Sequence, residues 1–263
     1  MNQPLAYVHP QAKIARNVVI EPFVTINKNV IIDEGTWIGS NVTIMEGARI
    51  GKNVKIFPGA VISGAPQDLK FKGEETVAII GDNTTIREFV TINRGTSASN
   101  QTVVGKGCLL MAYVHVAHDC VIGNNCILAN AVNLAGHINI DDFAIVGGLS
   151  AVHQFVNIGT HVMISGGSLV RKDVPPFTKA ARNPLSFVGI NSIGLRRRGF
   201  TNEKINEIHD IYRYLFNKNL NVSQAVAYIE AEMPATPERD TILGFISASA
   251  RGIMKGYNYR NEK

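Results

Sequence analysis

"INKNVIIDEGTWIGSNVTIMEGARIGKNVKI", residues 26 to 56, returns to Ile at 26, 32, 38, 44, 50 and 56. Ile also stands at 14, 20 and 62, so nine anchors follow one another at a strict period of six. Every sixth position from Val8 to Val170 is Ile, Val or Leu except Asp68, Glu74 and Ala98. Three residues after the anchors stand Asn29, Gly35, Asn41, Gly47 and Asn53, types that tolerate a left-handed backbone at a corner. Four residues after them stand the small or β-branched Val30, Thr36, Val42, Ala48 and Val54. A helix of 3.6 residues per turn would scatter such anchors around its cylinder. The pattern predicts a left-handed parallel β-helix with three short strands and three corners per eighteen-residue coil. With coils roughly 4.8 Å apart, about nine of them make a prism on the order of 40 Å tall.

The anchors fail at 68 and 74, and the register resumes at Ile80, eighteen residues after Ile62. One coil therefore carries an excursion near 64–78, around "GAPQDLKFKGEE", and a shorter one is expected near 96–102. Loops that leave a solenoid commonly build its binding site. The rhythm ends near Pro175, which divides the chain into a β-helix domain, 1–175, and a C-terminal helical subdomain, 176–263. There Ile205, Ile208, Ile211, Tyr212 and Leu215 fall at helical spacing behind a Thr201 cap, and Thr236 with Pro237 opens a second helix.

With 263 residues and 45% hydrophobic content, the chain can bury a sizeable core. No run of eighteen apolar residues is present and the first residues lack a signal-peptide pattern, so a cytoplasmic protein without a membrane span is expected. Cys108, Cys120 and Cys126 all fall four residues after an anchor, which reads them as small core residues rather than as a disulfide framework. A net charge of +5 is too mild to name a partner.

The repeat also sorts the polar residues. His115, His118, Asp119, His137, His153 and Gln154 occupy neither inward position. Adding eighteen moves one coil along, so His118, Gly136 and Gln154 form one file and Asp119 lies beneath His137 in the next. Four of the chain's seven histidines thus gather within three coils. His118 beside an acid suits a general base, since a neutral imidazole accepts a proton near pH 7 while its neighbour fixes the tautomer. Gly136, lacking a side chain, can present its backbone N–H to a developing oxyanion. No Ser or Cys nucleophile shares the file, which favours direct transfer. The rival reading is zinc held by the histidines, as in hexapeptide-repeat proteins resembling carbonic anhydrases.

Arg196, Arg197 and Arg198, with Arg171, Lys172, Lys179 and Arg182 before them, form a basic stretch suited to a diphosphate or an acidic carrier protein. It lacks the aromatic interleaving of nucleic-acid binders.

"QDLKFKGE", "TINRGT", "HVAHDC", "ILANAVNLAGH", "AVHQF", "DVPPF" and "GLRRRGF" follow the order found in the UDP-N-acetylglucosamine O-acyltransferases of lipid A biosynthesis, which this sequence resembles from Val8 through Phe200. The resemblance implies a homotrimer, without a cofactor or metal, that moves an (R)-3-hydroxyacyl chain from acyl carrier protein to the sugar 3-hydroxyl. It implies His118 as base, Asp119 as its orienting neighbour and Gly136 as oxyanion donor. Asp68, Lys70, His115 and His137 would then contact the sugar and acyl group, and His153, Gln154, Asn191, Arg197 and Arg198 the nucleotide. Gly166 would sit at the acyl-length ruler, where a glycine implies a long chain. Ile193 departs from the family's usual Glu, which leaves the contacts to the nucleotide on that side open. The related N-acyltransferase of the same pathway carries an N-terminal domain before its repeats, whereas the anchors here begin at Val8.

Overall fold

The computed structural model describes residues 4–217 and 220–256. Strands of mostly two residues stack in parallel on three faces and form a left-handed β-helix. Strands this short accumulate little of the twist behind the usual right-handed crossover. The first face runs in nine strands from Tyr7–Val8 to Leu169–Val170, and the second in eight from Lys13–Ile14 to Asn157–Ile158. The third begins at Val19–Ile20 and has eleven strands, because Thr178–Ala181, Ser186–Ile190 and Lys255–Gly256 extend it.

The corners take the backbone that the Asn and Gly positions suggested: φ is +54° at Asn29, +74° at Gly35, +59° at Asn41 and +87° at Gly47. Bulkier residues share this conformation further along, among them Phe89, Tyr113, Asp119 and His137. Inside, the anchors from Ile20 to Val170 and the three cysteines are buried in one continuous core. Each Ile shielded this way contributes roughly 1.5–3 kcal/mol through apolar burial. Cys120 sits so deep that burial pushes its thiol up to about 12.

Ile80 is not the next-coil counterpart of Ile62. Ile62 pairs with Ile92, thirty residues on, and Ile92 with Val116, twenty-four on. Elsewhere on this face the spacing is eighteen, as for Val116 and Leu134. The two excursions therefore enlarge successive coils by twelve and six residues, and both leave the corner between the first and second faces.

Strand pairing continues past the expected boundary at 175/176, because Thr178–Ala181 adds a rung against Met163–Ile164. Among the described residues four helices follow: α1 (Ser192–Arg197), α2 (Asn202–Asn217), α3 (Val222–Glu232) and α4 (Pro237–Ala248). The expected stripe of α2 is buried, and the Tyr212 hydroxyl donates to the Pro176 carbonyl at 2.6 Å, which ties the helix to the end of the prism. Thr236 caps α4 with Pro237 in its first turn, while α3 opens on an Asn221–Gln224 capping box. Among the described residues, no helix is long and apolar enough to cross a membrane.

Candidate functional site

The corner between the first and second faces gathers most of the expected polar residues. His118 Nδ1 lies 2.8 Å from Asp119 Oδ2. The ring rests on Gly136, where an added Cβ would come within 2.6 Å of His118 Cε1. This confirms the file counted at intervals of eighteen. In the next file Asp119 Oδ2 is 3.8 Å from His137 Nε2, and the His137 ring stacks on Phe155 at 4.6 Å.

Asp119 departs from the simple outward reading. Its side chain is fully buried, outside the prism core, beneath the shorter excursion. Thr96 donates its N–H to Oδ1 at 3.0 Å and its hydroxyl to Oδ2 at 2.7 Å, and the Ser99 hydroxyl donates to Oδ1. Burial alone would raise the Asp119 pKa, but hydrogen bonds from Ser99, Thr96 and His118 outweigh it and hold the carboxyl below its usual range. An ionised carboxylate only accepts hydrogen bonds. The proton between the two residues therefore belongs to His118 Nδ1. His115 packs alongside with its Nδ1 2.7 Å from the Thr91 hydroxyl. Burial, then the neighbouring His118, lower its pKa and favour a neutral ring.

Asp68, Lys70, Phe71 and Glu74 of the longer excursion face Thr96, Ser97, Ala98 and His137 across a cavity of about 170 Å³. His153 and Gln154 lie exposed two coils beyond His118 at the same corner, where Arg251 Nη2 donates to the Gln154 carbonyl at 2.9 Å.

The remaining expected residues lie at the other two corners. Asn191 caps α1 through its side-chain oxygen and donates to the His161 carbonyl at 2.9 Å. Arg197 and Arg198 end that short helix, and the Arg198 guanidinium stacks over Phe143 at 4.3 Å. This places the arginines at the corner between the second and third faces. His161 lies there between Phe143 and Phe177 with Phe200 at its edge. Burial, then the Arg198 charge, push His161 down to about 4, so the ring is neutral near pH 7. Gly166 is exposed at the third corner, where a Cβ would meet the Gly148 carbonyl at 3.0 Å. Ile193 is exposed on α1.

Thr96, Ser99, Phe155 and His161 were not singled out from the sequence. His161 and Phe155 fall three residues after anchors, as Asp119 and His137 do, so the same count would have found them. Thr96 and Ser99 lie in an excursion that carries no period.

His118, Asp119 and His137 place one potential metal-ligand atom each within 4.8 Å of one another. A carboxylate offers about four lone-pair directions. Thr96 N–H, Thr96 O–H, Ser99 O–H and His118 Nδ1–H already fill that number on Asp119. A cation on Oδ2 would have to displace one of them.

The family described as UDP-N-acetylglucosamine O-acyltransferase, domain 2, matches residues 173–254. The bacterial transferase hexapeptide family (six repeats) matches 101–136, and the GMPPB C-terminal domain matches 2–103. The chain is 53% identical over 204 residues to the acyl-[acyl-carrier-protein]--UDP-N-acetylglucosamine O-acyltransferase of Chlorobaculum parvum, covering 75% of this chain and 76% of the relative. The protein of that name from Myxococcus xanthus is 45% identical over 195 residues, covering 74% and 76%. The solved UDP-N-acetylglucosamine acyltransferase from Bacteroides fragilis 9343 superposes with a TM-score of 0.96 at 54% identity, covering 97% of this chain and 100% of that one. With relatives this similar over three quarters of the sequence, and a solved structure matching nearly all of the fold, the chain belongs to the UDP-N-acetylglucosamine O-acyltransferase family.

Proposed function

We propose that the protein transfers an (R)-3-hydroxyacyl chain from the thioester of acyl carrier protein to the 3-hydroxyl of UDP-N-acetylglucosamine, the first step of lipid A biosynthesis, and that it does so directly. The observation that carries this reading is His118, held through Nδ1 at 2.8 Å from the buried Asp119 carboxylate with its ring resting on Gly136. Nε2 accepts the proton of the sugar hydroxyl as its oxygen bonds to the thioester carbon. The carbonyl oxygen becomes an oxyanion. Among the described residues the Gly136 N–H donates to no protein acceptor, which leaves it free to stabilise that charge. When the carbon–sulfur bond breaks, imidazolium returns the proton to the leaving sulfur.

Asp68, Lys70, His115 and His137 surround the sugar and acyl group in this reading. His153, Gln154, Asn191, Arg197 and Arg198 take the nucleotide, and Gly166 leaves room for a long acyl chain. Because these groups occupy three corners of one prism, a complete site needs a neighbouring copy, which supports the homotrimer. The basic residues about α1 offer complementary charge to an acidic carrier protein.

The test is an assay with UDP-N-acetylglucosamine and a panel of (R)-3-hydroxyacyl carrier proteins in the presence of chelator, reading acylated sugar nucleotide by mass. Product is expected with chelator present, and His118→Ala should lower kcat by about 10² to 10⁴. Chelator-sensitive turnover would instead favour the metal reading, and wild-type turnover in His118→Ala would remove the base assignment.

A further inference from the structure

Thr96 aims both of its donors at one carboxylate. Its backbone N–H reaches Asp119 Oδ1 and its hydroxyl reaches Oδ2, the oxygen that also receives His118 Nδ1–H. The direction of the hydroxyl proton is settled locally. Thr96 Oγ1 accepts the Ala98 N–H at 3.2 Å, so its single proton is turned toward Asp119. The Ser99 hydroxyl meets both Asp119 Oδ1 and, at 2.8 Å, the Gln101 carbonyl. With one proton to give, it donates to the charged acceptor, which forms the stronger bond. From below, the Thr102 hydroxyl accepts the Asp119 N–H at 2.8 Å and fixes the backbone of this left-handed corner.

We propose that Thr96 and Ser99 are positioning residues that lock the Asp119 carboxylate so that it holds His118 as the Nδ1–H tautomer with Nε2 aimed at substrate. The proposal deepens, and rests on, the reading of His118 as general base. It assigns a task to the shorter excursion, which adds six residues to one coil and folds down on the acid rather than out into solvent.

A carboxylate held only by His118 could rotate about its terminal torsion, and a freed lone pair on Oδ2 has a competitor. His137 Nε2 stands 3.8 Å from that oxygen. The other titratable groups facing this assembly are His115 beside His118, with Asp68, Lys70 and Glu74 across the cavity. Removing the Thr96 hydroxyl leaves more negative charge for the imidazolium of His118 and admits His137 as a second partner. The extra negative charge raises the pH at which His118 becomes a base, whereas His137, on reaching Oδ2, draws the carboxylate away and loosens its hold on the His118 tautomer.

The experiment compares Thr96→Val, Thr96→Ser and Ser99→Ala in the full chain. Thr96→Val keeps the shape and the backbone donor and loses only the hydroxyl. We expect its kcat to fall about 10- to 100-fold, the range for losing a hydrogen bond to a charged group. KM for the sugar nucleotide should be unchanged, and the acidic limb of kcat/KM should move to higher pH. Thr96→Ser restores the wild-type profile, and Ser99→Ala, at an exposed position, gives a smaller shift of the same sign. Nitrogen-15 NMR of labelled histidine reads the tautomer without turnover: His118 is Nδ1–H in the wild type and mixed in Thr96→Val. A folded Thr96→Val with an unmoved acidic limb and an unchanged tautomer overturns the proposal. If Thr96→Val does not fold, Ser99→Ala decides by the same two readings. Wild-type turnover in His118→Ala would sink the base assignment instead, while the tautomer measurement still reports on the clamp.

Discussion

Gly136 is where one methyl group has the most to disturb. An added Cβ would lie 2.6 Å from His118 Cε1 and 2.9 Å from Nε2, so the ring must swing away and loosen its 2.8 Å bond to Asp119. Since the obstacle is the end of a side chain rather than backbone, the coil can keep its shape. Gly136→Ala should therefore reduce kcat by about 10² to 10³ while the melting temperature stays close to wild type. Steady-state kinetics beside a thermal melt would check it, and a lost fold with proportionate kcat would mean that Gly136 serves the coil instead. This contact was legible in the sequence, because positions eighteen apart stack and His118 precedes Gly136 by that number. The burial of Asp119 was not. Its covering groups, Thr96 and Ser99, come from a stretch with neither anchor nor alternation, and burial by a loop leaves no periodic trace.

The strands were readable because each coil repeats one demand: an apolar anchor, a left-handed corner and a small inward residue. Helices α2 and α4 were readable from Thr201, Thr236 and Pro237. The short α1 and the strand pair Thr178–Ala181 and Ser186–Ile190 were missed, because their hydrogen bonds depend on the prism already being there. Coil lengths were missed for a different reason. Insertions of twelve and six residues leave a count of six in phase, so Ile80 looked like the neighbour of Ile62 when it pairs with Ile50. The shorter excursion can be removed on this basis. Deleting 95–100 joins Arg94 to Gln101 and leaves a regular hexad from Ile92 to Val104. The expected product retains the β-rich circular dichroism spectrum and a cooperative melt at lower temperature but has no transferase activity, since Asp119 loses three of its four donors. Retained turnover would separate the loop from catalysis.

Across the whole molecule, His118, Arg198 and Gly166 mark three different corners, and one chain cannot turn them toward a single substrate. An assembly of three times 28.6 kDa is expected by light scattering. Co-expressed His118→Ala and Arg198→Ala chains should recover turnover that neither variant has alone, because a mixed assembly rebuilds intact interfaces. Absence of recovery in verified mixed assemblies would place both residues in one chain's own site. The stacking has a consequence in time as well. Each strand of the prism is paired with the strands just before and just after it on the same face, so the stack can grow in the order in which a ribosome delivers it. Thr96, Asp119, His118 and Gly136 are all in place once about half the chain has emerged, while Arg197 and Arg198 arrive late. In the proposed reading, the proton-handling residues are in place early, and the arginines assigned to the nucleotide come last.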